Sequence, residues 1–293
     1  MTNLSVQLRN LLNEKFCLKS LFVSKKLESH TDNTVKYLYE LEDGNHVESV
    51  IMEYNYGNTI CVSTQVGCKM GCRFCASTIA GFKRDLTSSE ILGQIYASER
   101  DSGRKISGVV LMGIGEPLDN FDNVVKFLKL LSAKDDMSLR HVSVSTCGLV
   151  DRIYELADMK LGITLSVSLH APTNELRSSV MPVNDRYSIE ELMKACKYYF
   201  NTTGRRISYE FALIDGVNDT RESADALLKL LKGQNCHVNL IPVNEIKEGV
   251  FKRSASVEKY KQMLIDGGLN ATVRRTLGAD ISAACGQLRR DNK

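Results

Sequence analysis

The sequence has no apolar run near the roughly 20 residues that a membrane-spanning helix needs. Its opening, MTNLSVQLRNLLNEKF, also lacks a charged-then-apolar leader. These absences argue against a spanning or exported protein and point to the cytoplasm. No strong charge of either sign is present: 38 Lys and Arg against 35 Asp and Glu leave a formal net charge of +3. That balance permits RNA binding without arguing for it. With only four prolines there is no Pro-rich linker, and no low-complexity tract or short repeat divides the chain. The 293 residues therefore predict one principal barrel-sized domain, or such a domain with a small appendage. Nine cysteines, an odd number without an export signal, exclude a disulfide framework and leave reduced thiols, metal ligands or catalytic groups.

What is present is strongly patterned. Three alternating or β-branched runs come first, VKYLYELE, HVESVIMEY and NTICVST, separated by turn-forming DG and YGN. They predict a small antiparallel sheet. From residue 87 a regular beat of helical segment and apolar run sets in, the runs being SGVVLMG (107–113), HVSVSTC (141–147), ITLSVSLH (163–170), RISYEFAL (206–213) and HVNLIPV (237–243). The helical stretches between them include TSSEILGQIYASER, which opens on an S-S-E cap signal, and SIEELMKACKYYF. Alternation on this scale predicts an α/β fold with a parallel sheet and crossover helices, open or closed into a barrel. Polar and Gly-rich segments (GIGEPL, TCG, HAP, IDGVND, VNE) follow the runs, at the C-terminal strand ends where such folds build their sites.

The densest chemistry is CVSTQVGCKMGCRFC (61–75), with Cys68, Cys72 and Cys75 at C-x3-C-x2-C spacing. Three thiolates on one tight loop can coordinate one face of an iron–sulfur cubane and leave the fourth iron open. Gly71 gives the loop conformational freedom, and Phe74 can shield a cluster from water. The alternative is a structural zinc site completed by Cys61, and the absence of a second C-x2-C pair weakens it.

The cysteine loop after a first strand resembles the radical S-adenosylmethionine enzymes, and GIGEP (113–117) resembles their amino-group contact. The closer resemblance is to the RlmN and Cfr family of RNA adenosine methyltransferases. It is carried by VESV (47–50), CVSTQVGCKMGCRFCAS (61–77), MGIGEPLDN (112–120), VSTCG (144–148), SVSLHAP (166–172), MPVNDRY (181–187), HVNLIPVN (237–244), VRRT (273–276) and ISAACGQL (281–288). The implied fold is a radical SAM partial (β/α)6 barrel (65–293) whose C-terminal tail carries a methyl-carrier cysteine. An antiparallel sheet (35–64) precedes it, and 1–34 is implied to be a helical remnant of a longer N-terminal region.

By the same resemblance Cys68, Cys72 and Cys75 hold one [4Fe-4S] cluster, and Gly115, Glu116, Ser145, Ser168, Leu169, His170 and Asn244 line the pocket for S-adenosylmethionine, two molecules of which serve each turnover. Carbon 2 of adenine is too electron-poor to attack a methyl sulfonium as an ordinary nucleophile, so the family takes a radical route. Cys285 is implied to be methylated first. A 5'-deoxyadenosyl radical then takes a hydrogen from that methyl group, and the thiomethylene radical adds to the adenine. Cys61 attacks the Cys285 sulfur to release the product as a disulfide forms, and Glu48 matches the base that removes the ring proton. Cys17, Cys147, Cys196 and Cys236 are expected to be structural, although Cys147 stands where the family pattern suggests Ser.

The implied targets are adenosine 2503 of 23S rRNA and adenosine 37 of tRNA, with electrons from a donor such as flavodoxin or ferredoxin and no membrane partner. The cysteine-loop and tail sequences look more like RlmN than like Cfr, which acts at carbon 8. Lys83, Arg84, Arg205, Arg206, Arg274, Arg275, Arg289 and Arg290 are candidate phosphate contacts. Two other readings stand beside this one: a zinc-stabilised RNA-binding protein without catalysis, and a radical enzyme acting on another substrate.

Overall fold

The computed structural model describes residues 3–16, 21–133, 137–246 and 248–289. One ten-stranded sheet organises them. Its first strands, β1 (Leu21–Glu28), β2 (Val35–Leu41), β3 (His46–Tyr54) and β4 (Gly57–Cys61), pair antiparallel in chain order. A small hairpin of β5 (Gln65–Val66) and β6 (Arg84–Asp85) brackets the cysteine loop. The remaining strands, β7 (Ile106–Leu111), β8 (Val142–Thr146), β9 (Thr164–Ser168), β10 (Ile207–Leu213), β11 (Cys236–Pro242) and β12 (Ala271–Val273), all run parallel to β4 in unbroken spatial order. Strand β4 thus belongs to both parts, closing the antiparallel meander and opening the parallel run.

The crossover helices form where the sequence signals them. Helix Ser88–Ser102 starts on a reciprocal capping box between Thr87 and Glu90 and stops at Gly103, whose φ of 67° is left-handed. Ser188 and Glu191 cap Ile189–Thr203 in the same way, and Gly204 ends it. These helices cover one face of the sheet, where Val142, Val144, Leu165, Val167, Tyr209, Phe211, Val238 and Leu240 join a single apolar core.

The opposite face is not packed. Ser143, Thr164, Ser166, Ser208 and Asn239 line one cavity together with Val50 of β3 and Cys61 of β4. Residues from strands this far apart in the sheet can meet only if the sheet curls around a lumen. The linear strand order leaves that curl open, as a partial barrel. The expected N-terminal helix is present as Val6–Lys15. Leu21–Glu28, however, falls inside the segment expected to be helical and is a strand. It is an edge strand whose side chains after Leu21 are mostly exposed, so LFVSKKLE carries no alternation to betray it. Strand β12 escaped for a similar reason: three residues are too short for a pattern.

Candidate active site

Two cavities share a wall inside the curl. The outer one lies at the C-terminal strand ends and is lined by Cys68, Cys72, Cys75, Gly115, Glu116, Ser145, Ser168, His170 and Asn244. The inner one runs down the lumen and contains Cys61. Met112, Glu210, Ile241, Asn244, Arg274 and Cys285 border both. Cys285 therefore stands at the passage between the three-cysteine loop and Cys61.

The loop is fixed by backbone. Cys75 N–H donates to the Cys72 carbonyl at 3.1 Å, and Arg73 N–H donates to Val180 O at 3.0 Å, tying it to the neighbouring helix. Burial pushes the Cys68 thiol up to about 12 and raises Cys72 and Cys75 as well. Bare thiols here hold their protons, and only a bound cation would convert them to thiolates. Among the described residues no three His, Cys, Asp or Glu side chains gather about one ion-sized point. A cubane does not ask for that, because each thiolate binds a different iron. The zinc alternative does, and it fails on geometry: Cys61 lies in the lumen, packed among Val50, Ile114, Ala283 and Leu288.

The GIGEP turn is wedged against the end of β4. A Cβ on Gly113 would lie 2.6 Å from the Val62 carbonyl, and one on Gly115, at φ +105°, would lie 2.5 Å from Gln65 Cβ. Both positions need glycine. The next residue, Glu116, accepts from Leu118 N–H at 3.0 Å and Cys147 N–H at 2.8 Å. Burial raises its carboxyl, opposed by those hydrogen bonds. Three thiols, a backbone-oriented acid and the hydroxyls of Ser145 and Ser168 make a donor set suited to iron and to an amino acid's ammonium and carboxylate. The residues fit a cluster with an amino-acid-bearing cofactor.

His170 adopts a left-handed φ of 56°, which turns its ring back toward the strands. Its Nδ1 accepts from Ala212 N–H at 2.8 Å, and its ring meets Phe74 edge-on at 4.8 Å. Burial, with the charges of Arg177 and Arg274, pushes it down to about 3. It is a neutral imidazole whose other nitrogen carries the proton. Leu169 is the exception in the predicted set. Its side chain is in the apolar core, and its carbonyl accepts from Arg177 Nε at 3.1 Å. The strand pleat explains this: Ser168 points into the curl, so Leu169 points out.

Cys285 is held on both sides. Arg274 Nη1 donates to its Sγ at 3.1 Å, and Asn244 Nδ2 donates to its carbonyl at 2.9 Å. Arg274 Nη2 donates to Glu210 Oε2 at 2.7 Å, while Asn239 Nδ2 donates to the same oxygen at 3.1 Å. Arg274 and Glu210 thus line both cavities and reach Cys285 directly or through one another, positions that the sequence did not reveal. Arg274 was expected at a phosphate, but VRRT enters the lumen as β12 ends. Burial pushes the Cys61 thiol up to about 12, helped by the proximity of Cys285.

Glu48 does not line either cavity. Its carboxylate is buried in an ion pair with Lys36 Nζ at 2.8 Å and accepts from the backbone N–H of Arg289 at 2.7 Å. The C-terminal tail closes over it: Lys36 Nζ also reaches Ser282 O at 3.0 Å, and Ser77 Oγ donates to Leu288 O at 2.9 Å. Two of the other expected phosphate contacts are committed to ion pairs. Arg84 is paired with Asp43 and Glu90, and Arg289 with Glu248. Arg205 and Arg206 precede β10, at the strand end opposite the site. Lys83 is exposed and Arg275 lines the lumen, while Arg290 lies outside the described residues. Cys196 and Cys236 are in the core as expected, Cys147 borders the outer cavity, and Cys17 lies outside the described residues.

Residues 62–231 match the Radical SAM superfamily, the stretch from the end of β4 through the helix that precedes β11. The protein is a radical S-adenosylmethionine enzyme, a class that uses a [4Fe-4S] cluster and S-adenosylmethionine. A crystal structure of a radical SAM methyltransferase from Sphaerobacter thermophilus superposes with a TM-score of 0.95 at 42% identity, covering 99% of this chain and 87% of that one. The probable dual-specificity RNA methyltransferase RlmN of Clostridium novyi is 54% identical over 99% of this chain and 86% of its own length. That of Lachnoclostridium phytofermentans is 50% identical, covering 99% of this chain and 83% of its own length. The chain belongs to the RlmN family of radical SAM methyltransferases. Spore photoproduct lyase, at 11% identity and a TM-score of 0.53, shares the fold alone.

Proposed function

We propose that this enzyme methylates carbon 2 of adenosine in RNA, at position 2503 of 23S rRNA and position 37 of tRNA, with Cys285 as the methyl carrier and Cys61 as the thiol that releases the product. The observation that carries this reading is the position of Cys285, bordering both the cavity of the three-cysteine loop and the cavity of Cys61. When bound, the cluster and S-adenosylmethionine supply the methyl group and a carbon-centred radical.

The protein's own residues do the rest. Cys68, Cys72 and Cys75 would hold the iron, and Glu116, kept in place by two backbone N–H groups, would take the cofactor's ammonium. Neutral His170 packs on Phe74 and helps keep water from the cluster. Arg274 holds the Cys285 sulfur in place for methyl uptake, and Glu210 aims Arg274. Burial keeps Cys61 a thiol until the product step, which guards it against early oxidation. Glu48 takes the ring proton once the tail contact at Arg289 gives way to the substrate. The disulfide formed is reduced before the next turnover, and a flavodoxin or ferredoxin type donor supplies the electrons.

Mass spectrometry of the Cys285 peptide from anaerobically purified, iron-replete protein tests the reading. Methylated Cys285 in the wild type and RNA covalently trapped there in Cys61→Ala are expected. An unmodified Cys285 with iron confirmed and no trapped RNA would overturn the carrier role.

A further inference from the structure

Arg177 is fully buried, yet every hydrogen-bond acceptor it meets is neutral. Nε donates to Leu169 O at 3.1 Å, Nη1 to Asn184 Oδ1 at 3.2 Å, and Nη2 to Cys147 O at 2.6 Å and Ser168 O at 3.1 Å. None of the ion pairs among the described residues includes it. A guanidinium does not give up its charge in a protein, so the fold buries a whole positive charge with no acid in hydrogen-bond or ion-pair contact among the described residues; the Glu116 carboxylate lies across the Cys147 backbone, bonded to its N–H while Arg177 grips its carbonyl. Such a charge is heavily destabilising unless something offsets it.

Its position indicates what does. The carbonyls of Cys147 and Ser168 that it grips belong to residues bordering the outer cavity. Its own helix, Asn174–Val180, holds the cysteine loop through the bond from Arg73 N–H to Val180 O, and Pro182 beyond that helix packs at 3.4 Å against the Cβ position of Gly71. The thiols of Cys72 and Cys147 both lie within reach of its charge. We propose that Arg177 is the built-in counter-charge of the iron–sulfur cluster and sets its reduction potential by stabilising the reduced form.

The step concerned is uptake of one electron by the cluster from an external low-potential one-electron donor; no bond forms or breaks. Each electron added makes the thiolate-bound cluster one unit more negative, so a fixed positive charge nearby favours reduction. The inference rests on the reading of Cys68, Cys72 and Cys75 as ligands. It assigns Arg177 as a positioning and charge-setting residue that touches no substrate.

The test is an anaerobic redox titration followed by electron paramagnetic resonance, without RNA, of wild type, Arg177→Gln and Arg177→Lys, each with its iron and sulfide measured. Arg177→Gln is expected to be at least tenfold less reduced at the same applied potential, a shift of about 59 mV downward for a one-electron couple. Arg177→Lys, which keeps the charge and loses the fork, is expected to titrate close to wild type. A fully loaded Gln variant that titrates with wild type overturns the proposal, as does a Lys variant shifted as far as Gln. Should the Gln variant lose its cluster, the Lys variant decides: loading with a near-wild-type potential supports the proposal, and failure to load overturns it. A wild-type protein that binds no iron would instead sink the assignment of the three cysteines.

Discussion

Strands β8 to β11 show two surfaces of opposite character on alternate residues. Outward, Val144, Val167, Phe211 and Leu240 are completely buried under the helices. Inward, Ser145, Ser168, Glu210 and Asn239 border cavities. Barrels of this general kind fill their centres with branched apolar side chains when the centre is only a core. Here the inward positions are small and polar, so the lumen stays open and the packing that stabilises the fold is left to the outer face. The comparison teaches that stability and chemistry are carried by adjacent residues of the same strands and ought to respond separately to mutation.

The largest expected effect is on the inner side. Cys285→Ala should lower RNA methylation at least about a thousandfold, some 4 kcal/mol in barrier, while the urea midpoint stays near that of wild type. Measured side by side, a variant that unfolds as well as failing to methylate would blur the division. Phe211→Ala supplies the opposite case. It should cost about 3–5 kcal/mol of stability, read from urea unfolding, with methylation per folded molecule little changed. Normal stability in this variant would mean that the outer face is not where the fold is held.

A smaller effect is expected at Glu210, which faces the lumen but touches Arg274 rather than Cys285. Glu210→Gln keeps the shape and removes the charge, so methyl loading of Cys285 should slow roughly tenfold, about 1.4 kcal/mol, as seen by peptide mass spectrometry. Unchanged loading would separate Glu210 from the carrier.

The last effect touches stability alone and concerns pH. His170 is held at about 3 by burial, below the value of about 6.5 for a free imidazole. The unfolded chain therefore binds a proton between these values that the folded chain refuses, and stability falls as pH drops through that window. For one group the slope is up to about 1.4 kcal/mol per pH unit. Unfolding of cluster-free protein at several pH values between 4 and 6 should show a shallower slope in His170→Gln; identical slopes would mean the imidazole titrates normally.

Much of this was legible in the sequence because local pattern and local chemistry agree. The β/α beat located five parallel strands within a residue or two, the capping box at Thr87 marked its helix, and the spacing of Cys68, Cys72 and Cys75 drew attention to the loop that borders the outer cavity. Leu169 was misread because a quoted motif runs along a strand while the pleat alternates its side chains. Arg274 was misread because paired basic residues usually face solvent, and only the short strand β12 turns this one inward. Arg177 was not singled out at all, since an arginine in a polar helix gives no local sign that it will be buried.

By itself the sequence determined the class of fold and displayed three cysteines at a spacing able to hold a cluster, because these depend on pattern along the chain; the roles expected for Cys61 and Cys285 came only from the family resemblance. Only the tertiary structure decided which thiols share a cavity, that Glu48 is covered by the tail, and where the buried charges of Arg177, Glu210 and Arg274 find their neighbours. Those are relations between residues as much as 241 positions apart, as for Glu48 and Arg289. They depend on the curl of the sheet and the return of the C-terminal segment across it, which no local pattern encodes.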